Sequence, residues 1–216
     1  MEKMQRTIRY LYWLIVPVLT LTIALGIYYY PEPYKFFQEF LSDLGGQYST
    51  NEGHVNQVSS IIMSVGFGLC GLIALIVFIL YFVSDLRYKY LKGSINLVLA
   101  FGACLIAIPH DKGNLLVLHT VGAALFMGGY GIINFILQLL RFVRKRQELP
   151  DKKSFDFYLD ASVVILVFLI ILILLIVFIP SEITHNPILR LLSVIFQKLV
   201  IIVDCIAILL LDLDDM

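Results

Sequence analysis

The sequence predicts an all-α membrane protein, a six-helix transmembrane bundle with both termini inside, and three observations carry that prediction. Six long apolar stretches take up most of the 216 residues. Hydrophobic residues make up 60% of the chain and the mean hydropathy is +0.90, which excludes an ordinary soluble domain. The polar connections between the stretches alternate in charge. A hydrocarbon core about 30 Å thick needs about 20 apolar residues at about 1.5 Å rise each.

The predicted spans cover residues 10–29, 58–83, 94–109, 115–140, 159–179 and 189–211, a single transmembrane domain over 1–216. The first is longer than a signal-peptide core and runs into Tyr28, Tyr29, Tyr30 and Pro31 with no small-residue cleavage pattern, so it is expected to stay as a helix. The third is short and reaches full length only if Tyr88 to Lys92 snorkel at one end. Short connections at 84–92, 110–114 and 180–188 make consecutive helices antiparallel neighbours.

Orientation follows from the sixteen Lys and Arg. Lys3, Arg6 and Arg9 precede the first span, and Arg87, Lys89 and Lys92 lie in the second connection. Arg141, Arg144, Lys145, Arg146, Lys152 and Lys153 lie in the fourth, read as a basic loop with Pro150 as a helix stop. Those twelve share one side; only Lys35 and Lys112 lie on the other, with Arg190 and Lys198 inside the last span. The positive-inside rule then predicts a multi-pass protein of the cell membrane with both termini cytoplasmic.

The first outer loop, residues 31–57, is the long connection. Its residues 34–44 have apolar positions at mixed three and four spacing, which predicts a short interfacial helix ended by Gly45 and Gly46. Gly66, Gly68 and Gly71, and Gly122, Gly128, Gly129 and Gly131, are predicted close-contact points between helices. Cys70, Cys104 and Cys205 all lie within spans and read as small packing residues.

Polar residues gather toward the outer side: Ser42, Asp43, His54, Asn56, His110, Asp111, His119 and His185. His54, His110, His119 and His185 with a carboxylate have the chemistry of a zinc site. No two of them have helical ligand spacing, and Asp111 and His119 would stand about 12 Å apart along a helix. No cofactor is therefore expected, zinc being the alternative. An ionisable group below the interface needs a partner or a wet cavity, and for His119 the candidates are Asp43, Asp111, Ser59, Ser60 and Ser64. A His–Asp pair beside Ser42 also has the elements of a hydrolase, without a nucleophile-elbow sequence around that serine. In the last span, Arg190, Gln197, Lys198 and Asp204 interrupt an apolar helix, and each is expected to face the bundle interior. They read as interior pairing, with Asn96, Asn134 or Gln138 as partners of Asp204, or as part of a proton, ion or substrate path.

Two segments carry a resemblance. Phe40-Leu41-Ser42-Asp43-Leu44-Gly45 is followed by Asn56 and a glycine-bearing helix, and Ile108-Pro109-His110-Asp111 is followed by His119. Together they resemble the six-helix prokaryotic membrane family catalogued as domain of unknown function 998. That family is more distantly similar to the FGF-receptor-activating-protein and damage-regulated autophagy modulator group. Where it often has an acidic–arginine pair in the last helix, this chain has Gln197 and Lys198. The resemblance implies a six-helix bundle with Ser42, Asp43, Asp111 and His119 converging at the outer face, and by analogy lipid handling.

The leading expectation is a lipid-headgroup pocket. His119 and Lys198 would meet a phosphate, Asp43 and Asp111 would orient the site, and Asn56 would join the lining. The alternative is a membrane-embedded hydrolase using His119 with Asp43 or Asp111 and Ser42, with a zinc-dependent form included; a small transporter is third. The expected partner is membrane lipid and not nucleic acid, and self-association is left open.

Overall fold

The computed structural model describes residues 2–111, 115–148, 155–184 and 186–216, without the side chains of 155, 156 and 182. Six helices long and apolar enough to cross a membrane dominate it. They are α1 (Glu2–Tyr28), α2 (Gln57–Val83), α3 (Lys89–Ile106), α4 (Leu115–Glu148), α5 (Phe155–Thr184) and α6 (Pro187–Leu209). One end of the bundle carries the 31–57 loop (the loop end). The other carries the start of α1 and residues 210–216 (the terminal end).

Most helices outrun their apolar stretches because polar turns extend them. α1 begins at Glu2, where Arg6 closes an i,i+4 pair of 2.5 Å with Glu2. α3 instead starts at Lys89 and stops at Ile106, short of the predicted Pro109, because a proline disfavours helical geometry in the residue before it.

Buried Ile8, Tyr12, Ile15, Leu19, Thr22 and Gly26 form one stripe of α1, at helical spacing. Where this stripe meets α2, a methyl group on Gly66 would overlap the Thr22 side chain. Between α3 and α4, a Cβ on Gly122 would lie 2.5 Å from Leu105 Cβ and 2.6 Å from the Ile106 nitrogen. Gly68 and Gly128 depart from expectation: a Cβ on either meets nothing within 4 Å, so neither marks a close contact. The ring closes through polar bonds to backbone carbonyls of α6: Trp13 Nε1 to Ile208 (3.2 Å), Asn134 Nδ2 to Asp204 (2.9 Å) and Gln138 Nε2 to Ala207 (2.5 Å).

The terminal end corrects the fourth connection. Residues 141–148 are the last turns of α4, and three of their cations, Arg141, Arg144 and Lys145, are paired with carboxylates. Arg141 and Lys145 reach Asp160 of α5 at 3.3 and 3.1 Å. Arg144 reaches Asp214 and Asp215 at 3.3 and 3.0 Å, in a 3-10 turn at Leu213–Asp215. Lys92 donates to the Asp215 carbonyl at 2.8 Å. Lys152 and Lys153 lie outside the described residues.

The loop end corrects the predicted interfacial helix. Between α1 and α2 the chain forms no α-helix, only a 3-10 turn at Leu41–Gly45. Side chains of α2 and α6 capture the backbone groups that a longer helix would have used. Gln197 Oε1 accepts from Leu41 N at 2.9 Å, and Lys198 Nζ donates to the Glu39 carbonyl at 2.6 Å. Asn56 and Ser59 donate to the Leu44 carbonyl at 3.0 and 2.8 Å, and Ser60 to that of Gly45 at 2.8 Å. The loop is thus stapled to the bundle, with Leu41 and Leu44 buried beneath it.

Candidate functional site: a polar cavity above an apolar crevice

The loop, α4, α5 and α6 enclose a cavity of about 330 Å³ at the loop end. The loop contributes Phe40, Ser42 and Asp43, and α4 contributes His119, Thr120 and Ala123. Phe178 and Ser181 come from α5, Arg190 and Gln197 from α6, and His110 from the segment joining α3 and α4.

Asp43 is brought there by its own turn. Its Oδ2 accepts from Phe40 N at 2.8 Å, closing the start of the 3-10 turn and burying the carboxylate. Burial pushes its pKa above the ordinary aspartate value, against the pull of His110, the Phe40 N–H and Arg190. His110 enters beside Gly46, where a Cβ would lie 2.9 Å from its Cε1. Its ring stands 5.2 Å from that of His119, centroid to centroid. His119 Nδ1 pairs with the Ile108 carbonyl at 2.8 Å. A carbonyl only accepts, so Nδ1 carries the proton and Nε2 of the neutral ring is an acceptor. That Nε2, like His110 Nδ1, is buried with no hydrogen-bond partner among the described residues.

Ser42, Asp43 and His119 therefore line one cavity, whereas Asp111, Asn56 and Lys198 are not among its walls. Asp111 is exposed and accepts from Tyr48 N at 2.8 Å, because its position beyond Pro109 places it under the 48–55 hairpin. Asn56 spends its amide on the Leu44 and Gly46 carbonyls at 3.0 and 2.8 Å. Lys198 lies on another face, against the Phe36 ring at 5.1 Å and beside an apolar groove between α1 and α6 of about 430 Å³. The serines proposed as partners of His119 all bind carbonyls instead, Ser64 that of Ala107 at 2.6 Å.

Ser42 makes no hydrogen bond with either imidazole among the described residues, so no triad is assembled. His54 is exposed and pairs with Glu52 at 2.6 Å, away from the cavity, and His185 lies outside the described residues. Among the described residues no three His, Cys, Asp or Glu side chains gather as metal ligands. Asp204 is fully buried, yet neither carboxylate oxygen has a hydrogen-bond partner among the described residues. Asn134 and Gln138 are spent on backbone carbonyls, and Asn96 donates to Tyr12 OH and to the Lys92 carbonyl at 2.6 and 2.8 Å.

Sequence reasoning missed Arg190 and Gln197 as cavity residues. Their signal was present: seven residues apart, they share a helix face, whereas Lys198 is rotated about 100° from Gln197.

An apolar crevice continues from the cavity between α4, α5 and α6, sharing Ala123, Phe178 and Gln197 with it. It is narrow, about 40 Å³, and is lined by Met127, Gly128, Ile171 and Leu174 among others. The bare Gly128 leaves its wall open.

No family model, no curated protein and no solved structure matches the chain. The likeness to the six-helix prokaryotic family rests on the motif residues alone.

Proposed function

We propose that this protein binds a membrane amphiphile, with the headgroup in the cavity and an acyl chain along the crevice. The observation that carries the reading is the shared wall: a polar, charge-bearing chamber opens directly onto an apolar slot. Arg190 replaces Lys198 as the cation that meets a phosphate, since a guanidinium offers a planar fork of donors. The distribution of basic residues supports a loop end on the outer side of the membrane, and in that orientation the amphiphile is one of the outer leaflet.

The test is native mass spectrometry of the detergent-purified protein and of Arg190→Ala and Gly128→Leu. Retained lipid in the parent, reduced in both variants, supports the reading. A lipid-free parent, or variants that keep the full lipid load, would overturn it.

The hydrolase alternative retains one observation: His110 and His119, each with an imidazole nitrogen that has no partner among the described residues, line the same cavity as Ser42. Turnover of ester-linked lipids by the parent, lost in Ser42→Ala with lipid retention intact, would move it to the front.

A further inference from the structure

The cavity holds opposite charges that do not neutralise each other. Asp43 is nine-tenths buried on the loop side and Arg190 is exposed on the α6 side, and both line the same space. They make no ion pair with each other, and among the described residues Arg190 makes none with any carboxylate. Its guanidinium lies over the Phe40 ring, 5.9 Å from the centroid. Asp43 uses Oδ2 on its own turn, while Oδ1 accepts no hydrogen bond among the described residues. A purely anionic headgroup would satisfy Arg190 and leave a carboxylate facing it. A purely cationic one would do the reverse.

The remaining lining is rich in acceptors. His119 lines the same space, and its Nε2 is buried with no hydrogen-bond partner among the described residues, Nδ1 being committed to the Ile108 carbonyl at 2.8 Å. Ser42 Oγ is uncommitted among the described residues and lines the same space. With Asp43 Oδ1, that makes one carboxylate oxygen, one imidazole nitrogen and one hydroxyl. A primary ammonium has three N–H donors to give them.

We infer that the bound amphiphile is a zwitterionic phospholipid with a primary ammonium, the chemistry of phosphatidylethanolamine. Its phosphate meets Arg190 and its ammonium meets Asp43, His119 and Ser42. This rests on the amphiphile reading above and narrows it. A trimethylammonium headgroup has no N–H donor for the acceptors and is bulkier. A glycerol headgroup supplies hydroxyls but no charge to balance Asp43.

The experiment is competition between phosphatidylethanolamine, phosphatidylcholine and phosphatidylglycerol with identical chains, read by native mass spectrometry of the full chain in detergent. A charge-assisted hydrogen-bonded contact predicts about tenfold or greater preference for the ethanolamine lipid. In Asp43→Asn that preference falls to about twofold or less while phosphatidylglycerol still binds, since the charge-assisted part of the contact is gone. The selectivity of the parent decides the matter even if the variant does not fold. Equal binding of all three, or preference for either rival, overturns the inference and leaves the amphiphile reading in place. Binding of none overturns both.

Discussion

Arg144 Nη2 lies 3.0 Å from Asp215 Oδ1, joining the last turns of α4 to a carboxylate that is only 1% exposed. Burial pushes the Asp215 carboxyl upward, opposed by the Asp212 N–H and by Arg144. Burial thus costs this acid more than its partners return. Such a pair is exposed by removing one member.

Arg144→Ala is expected to lower stability by about 3 kcal/mol, because it leaves a buried carboxylate short of a cation. The loss should shrink at acidic pH, where Asp215 takes a proton and needs no counter-charge. Thermal unfolding in detergent at acidic and alkaline pH checks this; an equal loss at both would show that the contact works through packing.

Asp43 gives a pH dependence of definite sign. Its carboxyl titrates higher in the folded protein than in the unfolded chain, because it is buried. Its contribution is therefore fully present below the unfolded value of about 3.9 and is lost as pH rises through the folded value. Asp43→Asn, which mimics the protonated form, should flatten that part of the stability–pH curve. An unchanged curve would place the titration elsewhere.

Two glycines of α2 and α4 should behave oppositely. Gly66→Ala drives a methyl group into Thr22 and is expected to cost about 1–3 kcal/mol. Gly128→Leu meets open space and gains helix propensity of up to about 1 kcal/mol, so it should fold normally while filling the crevice. Melting temperatures of the two variants, beside the lipid content of the second, separate architecture from function.

Lys198→Met is expected to loosen the loop without emptying the cavity. The Glu39 carbonyl loses a 2.6 Å donor, worth about 1.5–3 kcal/mol for a charged group. Proteolytic sensitivity within 31–57 should rise while lipid retention stays near that of the parent. Loss of lipid without added sensitivity would return Lys198 to the binding site.

Asp204→Asn should raise thermal stability. The native carboxylate is fully buried and has no hydrogen-bond partner among the described residues, whereas a neutral amide has a smaller desolvation cost. A marked drop would mean that the charge is held by a ligand.

The helices were legible because crossing a membrane imposes a length and a composition that a run of apolar residues displays directly. The site was legible only in part. Ser42, Asp43 and His119 were found because a short turn and a helix start hold them at the loop end. Lys198 was assigned to the cavity and Gln197 was not, although they are neighbours in sequence; one residue along a helix turns the side chain to a different face. The pairing of Arg144 with Asp214 and Asp215 joins residues about seventy positions apart, and no local pattern announces it. The 34–44 segment misled because its apolar spacing suits a helix, whereas Gln197 and Lys198 had already claimed its backbone.

Asp160 fixes where α5 is held. Its two ion pairs, to Arg141 and Lys145, clamp α5 to α4 at the terminal end. Nearer the loop end, no described side chain of α5 makes a hydrogen bond or ion pair to another helix, and contact there is through apolar surfaces. Phe178 and Ser181, at that end, are walls of the cavity. Among the described residues, the side of the cavity that α5 closes is therefore held by apolar packing alone, while the charges that fasten the helix sit at its far end.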